Sequence, residues 1–374
     1  MSLLLGMGLG RFSYTPFIPA LVEAGQYDAA AAGYIGAGNL AGYLVGALAL
    51  PWLRHRLHAV TLLRLCIALS LTALIGSIFP FGFAWLAFWR FLIGVTVAVM
   101  MVMSLALVIA TAPRGLLGRA TGTVFTGVGV GIALSGTLVP ALLERGLAEA
   151  WTGLALIGAL AGGIAWWGWG AAWDIPAAQP AVRRPATPPG RVDTARVWPL
   201  LAAHVLFGVG LVPYSLYWVD FIARGLGQGM GAGGLHWILV GIGALTGTLL
   251  CGWLADRIGF AAALVAIFLA LGAGIALPAL SHQPAVLVLS SLVFGAQPGL
   301  SAVISGRTGQ VVGPESLQRV WRWMVLAIGI GQTAGGYALV ALYAATGSYA
   351  ALFLCGGGAM ALAGLLAIPR PGSR

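Results

Sequence analysis

Charged residues are scarce in this sequence, and lysine is absent altogether. Only 7% of the 374 residues are charged, whereas 60% are hydrophobic. Soluble globular proteins carry about 25% charged residues, so the composition excludes an ordinary soluble domain. All 19 basic residues are arginines, and this bias towards arginine, glycine and alanine is typical of a GC-rich bacterial genome.

Cysteine and asparagine are also rare, and their scarcity excludes several kinds of site. The cysteines Cys66, Cys251 and Cys355 lie far apart in apolar stretches without C-x-x-C spacing, which favours packing over redox or metal roles. The single asparagine, Asn39, is not part of a glycosylation sequon. We therefore expect neither a metal nor another cofactor.

Motifs for catalysis and for nucleic-acid binding are missing as well. The sequence has no H-E-x-x-H, no G-x-S-x-G, no Walker loop and no pair of carboxylates within an apolar run. The formal charge of +10 comes from arginines in short loops, without a basic block interleaved with aromatic residues. These absences disfavour an enzyme, direct drive by ATP and a nucleic-acid partner.

Apolar runs of about twenty residues recur along the whole chain. At 1.5 Å per residue, each run can cross a hydrocarbon core of about 30 Å. The pattern predicts an all-α polytopic membrane protein with twelve transmembrane helices. The predicted spans are 1–21, 29–53, 59–79, 83–109, 119–143, 150–173, 197–219, 233–254, 260–280, 285–304, 319–344 and 348–368.

The arginines outside these spans predict the orientation of the chain. If the N-terminus is cytoplasmic, the inner loops carry fifteen arginines and the outer loops carry only Arg145 and Arg224. Arginine near the end of a span is retained on the cytoplasmic side. We therefore expect a multi-pass protein of the bacterial inner membrane with both termini in the cytoplasm.

A segment rich in proline and arginine divides the chain into two halves. Residues 175–196, IPAAQPAVRRPATPPGRVDTAR, contain five prolines and four arginines, a composition typical of a flexible linker. The predicted domains are an N-terminal six-helix bundle (1–174), a cytoplasmic linker (175–196) and a C-terminal six-helix bundle (197–374).

The two halves share residues at an offset of 200 positions. Their agreement on one offset predicts two similarly folded halves in the same orientation, as an even number of spans in each half requires. Among the matching pairs are Gly8 with Gly208, Gly10 with Gly210, Tyr14 with Tyr214, and Gly131 with Gly331. An offset of 201 also aligns Trp52 with Trp253.

Several motifs resemble those of the major facilitator superfamily. GWLADRIG (252–259) is similar to its G-x-L-A-D-R-x-G loop, and Arg90 with Gly94 resembles its R-x-x-x-G element. The opening GLGRFSYTPFIPAL, followed by AGYIGAGNLAGYLVGAL, resembles the YbfB-type branch. The resemblance implies two pseudo-symmetric six-helix bundles around a central site, with alternating access. It also implies a gating role for Asp256 and Arg257, although the first-half loop, LPWLRHRL (50–57), lacks the acidic residue.

Arg11 lies near the middle of the first predicted span. A cation there costs about 2.5–3.5 kcal/mol, so its side chain should face a partner or a wet cavity. Its planar donor fork suits a carboxylate, sulfonate or phosphate, and the alternative is an arginine that bridges helices or snorkels. Arg90 in span four follows the same logic, with backbone carbonyls as its alternative partners. No acidic residue is predicted at midplane depth, so an anionic ligand could supply the counter-charge.

Other polar residues at similar depth complete the predicted substrate site or hold helices together. They are Tyr14, Asn39, Tyr214, Tyr217 and Gln332. His204 in span seven is the best-placed histidine for proton coupling, and a packing role is its alternative. Exchange of one anion for another would need no proton carrier.

These features together predict a secondary active transporter that moves a small organic anion or an amphipathic solute. The alternatives are a proton-coupled exporter of hydrophobic drug-like compounds, or a transporter-like sensor or scaffold. The expected partners are a small-molecule substrate, the lipid bilayer and either a proton or a counter-substrate. We expect the protein to be a monomer.

Overall fold

The computed structural model describes residues 1–112, 116–170 and 194–369, and these residues form helices without any strand. Most of the predicted linker, residues 175–193, lies outside the described residues. The α-helices are α1 (Tyr14–Glu23), α2 (Ala29–Arg56), α3 (Ala59–Gly76), α4 (Phe83–Thr111), α5 (Leu117–Leu143), α6 (Leu147–Gly170), α7 (Thr194–Gly210), α8 (Trp218–Asp220), α9 (Gly229–Ile258), α10 (Phe260–Leu280), α11 (Pro284–Gly295), α12 (Gln297–Thr346) and α13 (Tyr349–Leu366). Three further segments, Leu4–Phe12, Pro213–Tyr217 and Phe221–Gly225, are π-helical.

The helices confirm the all-α polytopic membrane fold. Among the described residues, ten helices are long and apolar enough to cross a membrane, or eleven if α11 and the first part of α12 form one bent span. The first predicted span divides into the π-helix Leu4–Phe12 and α1, and neither piece alone approaches the roughly 20 residues that a spanning helix needs. The number twelve therefore stays a prediction.

Breaks in the helices lie next to prolines. The π-helix Pro213–Tyr217 begins at a proline within the span Thr194–Gly225. Between α11 and α12 the chain bends by 40°, two residues before Pro298. Proline lacks an N–H group and clashes with the preceding turn, so it interrupts regular hydrogen bonding.

Contacts divide the chain into two compact units. Unit 1 comprises Met1–Val182 with Leu216–Gly241, and unit 2 comprises Arg183–Ser215 with Ile242–Arg374. Leu216–Gly241 follows the linker in the sequence but belongs to unit 1 by its contacts. Within that segment, the Trp237 indole Nε1 donates a hydrogen bond of 3.1 Å to the Ser135 hydroxyl of α5. The predicted domain boundaries at 174 and 197 stay a prediction.

Close glycine contacts occur at equivalent positions in each unit. In unit 1, a Cβ atom on Gly8 would lie 2.5 Å from the Cα of Gly131 in α5. In unit 2, a Cβ atom on Gly208 in α7 would lie 3.0 Å from the carbonyl carbon of Gly331 in α12. Both residues of the second pair follow those of the first by 200 positions, so the same helix pair approaches closely in each half of the sequence.

A second pair of helices repeats in the same way. A Cβ atom on Gly42 in α2 would lie 2.0 Å from the main-chain oxygen of Phe91 in α4. A Cβ atom on Gly243 in α9 would lie 2.4 Å from the main-chain oxygen of Leu292 in α11. Here the offset is 201 for both residues. The sequence repeat therefore corresponds to repeated helix packing within the units.

Candidate functional site

Five polar residues of unit 1 form a buried group, which we name the arginine cluster. Its members are Arg11, Tyr14, Asn39, Tyr43 and Arg90, and all five are buried. The π-helix Leu4–Phe12 contributes Arg11, α1 contributes Tyr14, α2 contributes Asn39 and Tyr43, and α4 contributes Arg90. Four of these five residues were predicted from the sequence as substrate-site residues, and the fold brings those four together.

Arg11 is positioned by an irregular turn of the first helix. The amide of Ser13 donates to the Gly8 carbonyl at 3.1 Å, five residues earlier, which is the π-helical pattern. Such turns occur frequently at functional sites. The Arg11 guanidinium carbon lies 5.5 Å from the centroid of the Phe12 ring and 5.4 Å from that of Tyr43. Arg11 retains 7% of its surface exposed, and cation–π attraction to the two rings offsets part of its lost hydration.

Arg90 is held more tightly than Arg11. It is fully buried, and its Nη2 donates to the main-chain oxygens of Gly10 at 2.6 Å and Arg11 at 3.2 Å. Its guanidinium carbon lies 4.7 Å from the centroid of the Tyr14 ring. Arg90 therefore braces the turn that carries Arg11, which matches the alternative role considered for it, and it also adds a second positive charge.

The polar side chains that α1 and α2 contribute to the cluster make some of their possible hydrogen bonds within unit 1. Asn39 Nδ2 donates to the main-chain oxygen of Arg90 at 2.8 Å, and the Tyr14 hydroxyl donates to that of Ala32 at 3.0 Å. The Tyr43 hydroxyl lies 3.5 Å from the Met101 sulfur, a weak acceptor. Tyr43 was not among the predicted site residues, although its position four residues after Asn39 places both on one face of α2.

Several buried polar atoms in the cluster have no hydrogen-bond partner among the described residues. They are Arg11 Nε, Arg90 Nε, Arg90 Nη1 and Asn39 Oδ1. In the part of the chain that the structure describes, neither arginine has a carboxylate within ion-pair distance, whereas Arg224 does form an ion pair with Asp220. Leaving buried charged donors unpaired is costly. An anion bound at Arg11 would supply both the counter-charge and hydrogen-bond acceptors.

Other residues predicted for the substrate site lie elsewhere in the fold. In unit 2, the Tyr214 hydroxyl hydrogen-bonds to Ser290 Oγ, which in turn donates to the Gly274 carbonyl at 2.5 Å. Gln332 is buried in α12 of the same unit. Tyr217 ends a π-helix and belongs to unit 1 by its contacts. Roles for these three residues in substrate binding stay predictions.

His204 lies in apolar surroundings within unit 2. Its Nδ1 is 3.4 Å from the Met324 sulfur, and its ring centroid is 5.7 Å from that of Phe207 and 6.1 Å from that of Trp321. Such an environment is typical of a packing histidine. Proton coupling through His204 stays a prediction.

The predicted gating pair lies at the exposed end of α9. Asp256 and Arg257 are both exposed, and the Arg257 guanidinium carbon is 4.7 Å from the centroid of the Trp253 ring. In α2, Arg56 lies over Trp52 in the same way at 5.2 Å, and the two pairs are 201 residues apart. This contact lies within one helix and gives no information about a conformational change, so the gating role of Asp256 and Arg257 stays a prediction.

Asp220 is a buried carboxylate whose environment the sequence did not indicate. Its side chain is fully buried in α8 and accepts a hydrogen bond of 2.9 Å from Arg224 Nη1. The spacing of four residues in a helical segment was the available signal.

We expect Arg90→Lys to lower the free energy of unfolding by about 2 kcal/mol, because an ammonium group is more strongly hydrated than a guanidinium, and its flexible stem does not hold the nitrogen rigidly at the position of Nη2. Unfolding in detergent micelles would measure the loss. Arg64→Lys is the matched control, because Arg64 also donates to a main-chain oxygen, that of Trp166, but at the surface. Equal losses in the two variants would contradict the bracing role.

The sequence profile of the family described as "Uncharacterised MFS-type transporter YbfB" matches residues 3–368. Among curated protein sequences, no significant match is found.

Solved structures give matches over nearly the whole chain. A D-xylose-proton symporter superposes with a TM-score of 0.78 at 16% identity, covering 100% of this chain and 98% of that chain. The xylose transporter XylE from E. coli, in a partially occluded inward-open conformation, gives 0.74 at 15% identity, covering 97% and 94%. A POT family transporter in complex with a thioalcohol-conjugated peptide gives 0.76 at 14% identity, covering 97% and 94%. At these identities the likeness shows the fold alone.

Proposed function

Because the chain belongs to the YbfB family of MFS-type transporters, we propose that it is a secondary active transporter for small organic anions. It is a multi-pass membrane protein and a transporter rather than an enzyme. We propose that Arg11 binds the anionic group of the substrate and that Arg90 supports it. We also propose alternating access for the transport cycle, the inner membrane of a bacterium as the location, and a monomer with both termini in the cytoplasm.

The state of Arg11 carries this proposal. Its guanidinium carbon lies within 5.5 Å of the centroids of the Phe12 and Tyr43 rings. Its Nε has no partner among the described residues, and no carboxylate there is close enough to neutralise it. Arg90, by contrast, uses one nitrogen on two main-chain oxygens. A planar donor fork in such surroundings binds a carboxylate, sulfonate or phosphate well.

The direct test is a binding panel on the purified full chain. Thermal-shift titrations would compare small carboxylates, a sulfonate, a phosphate monoester and drug-like cations, since a ligand that binds the native state raises its stability. We expect protection from the anions. Flux of the best-protecting, radiolabelled anion into proteoliposomes would then measure transport. Protection by cations alone would contradict the proposal and favour export of hydrophobic drug-like compounds.

Coupling to a proton or to a counter-anion is a separate part of the proposal. Two of the similar folds are those of proteins described as a proton symporter and as a xylose transporter, and His204 is our candidate proton carrier in this chain. Its apolar contacts support the packing role more than the coupling role, so we favour anion exchange. Uptake that responds to trapped counter-anion but not to an imposed pH gradient would support exchange.

A further inference from the structure

The arginine cluster offers one hydrogen-bond acceptor beside its donors. We infer, resting on the proposed function, that the cluster selects 2-hydroxy carboxylates: the arginine side binds the carboxylate, and Asn39 Oδ1 accepts a hydrogen bond from the neighbouring hydroxyl. The inference names the substrate class for the same site and assigns Asn39 as the specificity-determining residue.

The orientation of the Asn39 amide is fixed by its neighbour. Nδ2 lies 2.8 Å from the main-chain oxygen of Arg90, and a carbonyl oxygen can only accept a hydrogen bond. The nitrogen must therefore be on that side, which leaves Oδ1 on the other. Oδ1 is buried and has no partner among the described residues, so a ligand group that meets it must be a donor.

The acceptor and the cation belong to one network of contacts. Asn39 and Tyr43 are four residues apart on α2, which places their Cβ atoms about 5–6 Å apart on one face. The Arg11 guanidinium carbon lies 5.4 Å from the Tyr43 ring centroid. Asn39 and Arg11 both contact Arg90: the Asn39 amide donates to its main-chain oxygen, and its guanidinium donates to the main-chain oxygen of Arg11. A small acid whose carboxylate and hydroxyl are on adjacent carbons offers an acceptor to the cation and a donor to Oδ1 within one ligand.

Electrostatics distinguishes a hydroxyl from an ammonium group as the donor. Both Arg11 and Arg90 are in the cluster, and the described residues place no carboxylate within ion-pair distance of either. An ammonium group would add a third positive charge to this buried site, whereas a hydroxyl adds none. Like charges in surroundings of low dielectric repel strongly. The cluster therefore favours 2-hydroxy acids over 2-amino acids.

Matched pairs of acids test the inference on the wild-type chain. Thermal-shift titrations would give apparent Kd values for L-lactate and propionate, for glycolate and acetate, and for L-alanine. We expect each hydroxy acid to bind about tenfold more tightly than its deoxy partner, the worth of one hydrogen bond, and alanine to bind more weakly than lactate. Equal affinities within each pair, or alanine equal to lactate, would overturn the inference.

A substitution of Asn39 tests the residue assignment. In Asn39→Leu we expect the ratio of lactate to propionate affinity to fall from about ten to about one. Ser70→Ala is the control, because it removes a buried hydrogen bond of 2.7 Å to Thr96 in the same unit, and it should keep the tenfold ratio. A ratio that survives in Asn39→Leu would overturn the assignment. If that variant fails to fold, Asn39→Ala also removes the acceptor without adding charge or bulk, and its ratio should likewise fall to about one.

The outcomes also separate this inference from the proposed function. Carboxylates that protect without any preference for the hydroxyl contradict the substrate class but leave anion transport standing. Protection by drug-like cations, with none by any acid of the panel, contradicts both.

Discussion

Arg11→Gln should weaken the binding of a small organic anion by at least about 100-fold. A bidentate arginine–carboxylate contact contains two charge-assisted hydrogen bonds, each worth about 1.5–3 kcal/mol, and 1.4 kcal/mol corresponds to a factor of ten. Within the described residues, the Arg11 side chain contacts two rings but donates no hydrogen bond. Its replacement should therefore affect binding far more than folding. Thermal-shift titration would measure the affinity, and unfolding without ligand would measure the stability.

Two further variants make this result interpretable. Arg11→Lys keeps a cation but loses the fork, so we expect an intermediate loss of about tenfold. Arg56→Gln removes an exposed arginine that also lies over an aromatic ring, that of Trp52, and it should bind anions like the wild type. Wild-type affinity in a stably folded Arg11→Gln variant would exclude Arg11 from the site.

The cost of polar groups in a membrane made part of the cluster predictable. Arg11, Arg90 and Asn39 are conspicuous in apolar runs, and each needs a partner there. The structure identifies the partners that the prediction did not name: the Asn39 amide donates to the main-chain oxygen of Arg90, and the Arg90 guanidinium donates to that of Arg11. The sequence repeat predicted two similarly folded halves, and the glycine matches at one offset correspond to a backbone approach that recurs in each unit.

Features that depend on tertiary packing were not predictable. The π-helix Leu4–Phe12 has the same apolar composition as an α-helix, so periodicity cannot distinguish them. The local sequence around Tyr43 does not distinguish it from a packing aromatic residue, and its role depends on the Arg11 guanidinium that lies over its ring. Leu216–Gly241 follows the linker in the sequence, yet its contacts assign it to unit 1. Each of these three features depends on contacts with residues that are distant in the sequence, and a local sequence pattern carries no information about such contacts.

The close glycine contacts that occur once within each unit, at Gly42 and at Gly243, should tolerate no side chain. We expect Gly42→Val and Gly243→Val each to destabilise the protein by about 3 kcal/mol, because the added Cβ would meet a main-chain oxygen at 2.0 Å and 2.4 Å respectively. The obstacle is backbone, so it cannot move aside as a flexible side chain would, and the helices must separate. A fall in melting temperature on the order of 5 °C in detergent micelles would be the observable.

Gly163→Val is the matched control in α6. A Cβ atom on Gly163 meets nothing within 4 Å, so this variant changes the intrinsic helix propensity without the clash. That propensity favours valine over glycine by less than about 1 kcal/mol, and the melting temperature should not fall below that of the wild type. Because Gly42 and Gly243 occupy equivalent contacts, we expect similar losses from both. If Gly42→Val melted with the control while Gly243→Val did not, the predicted cost of the clash at Gly42 would be wrong and the two contacts would not be energetically equivalent.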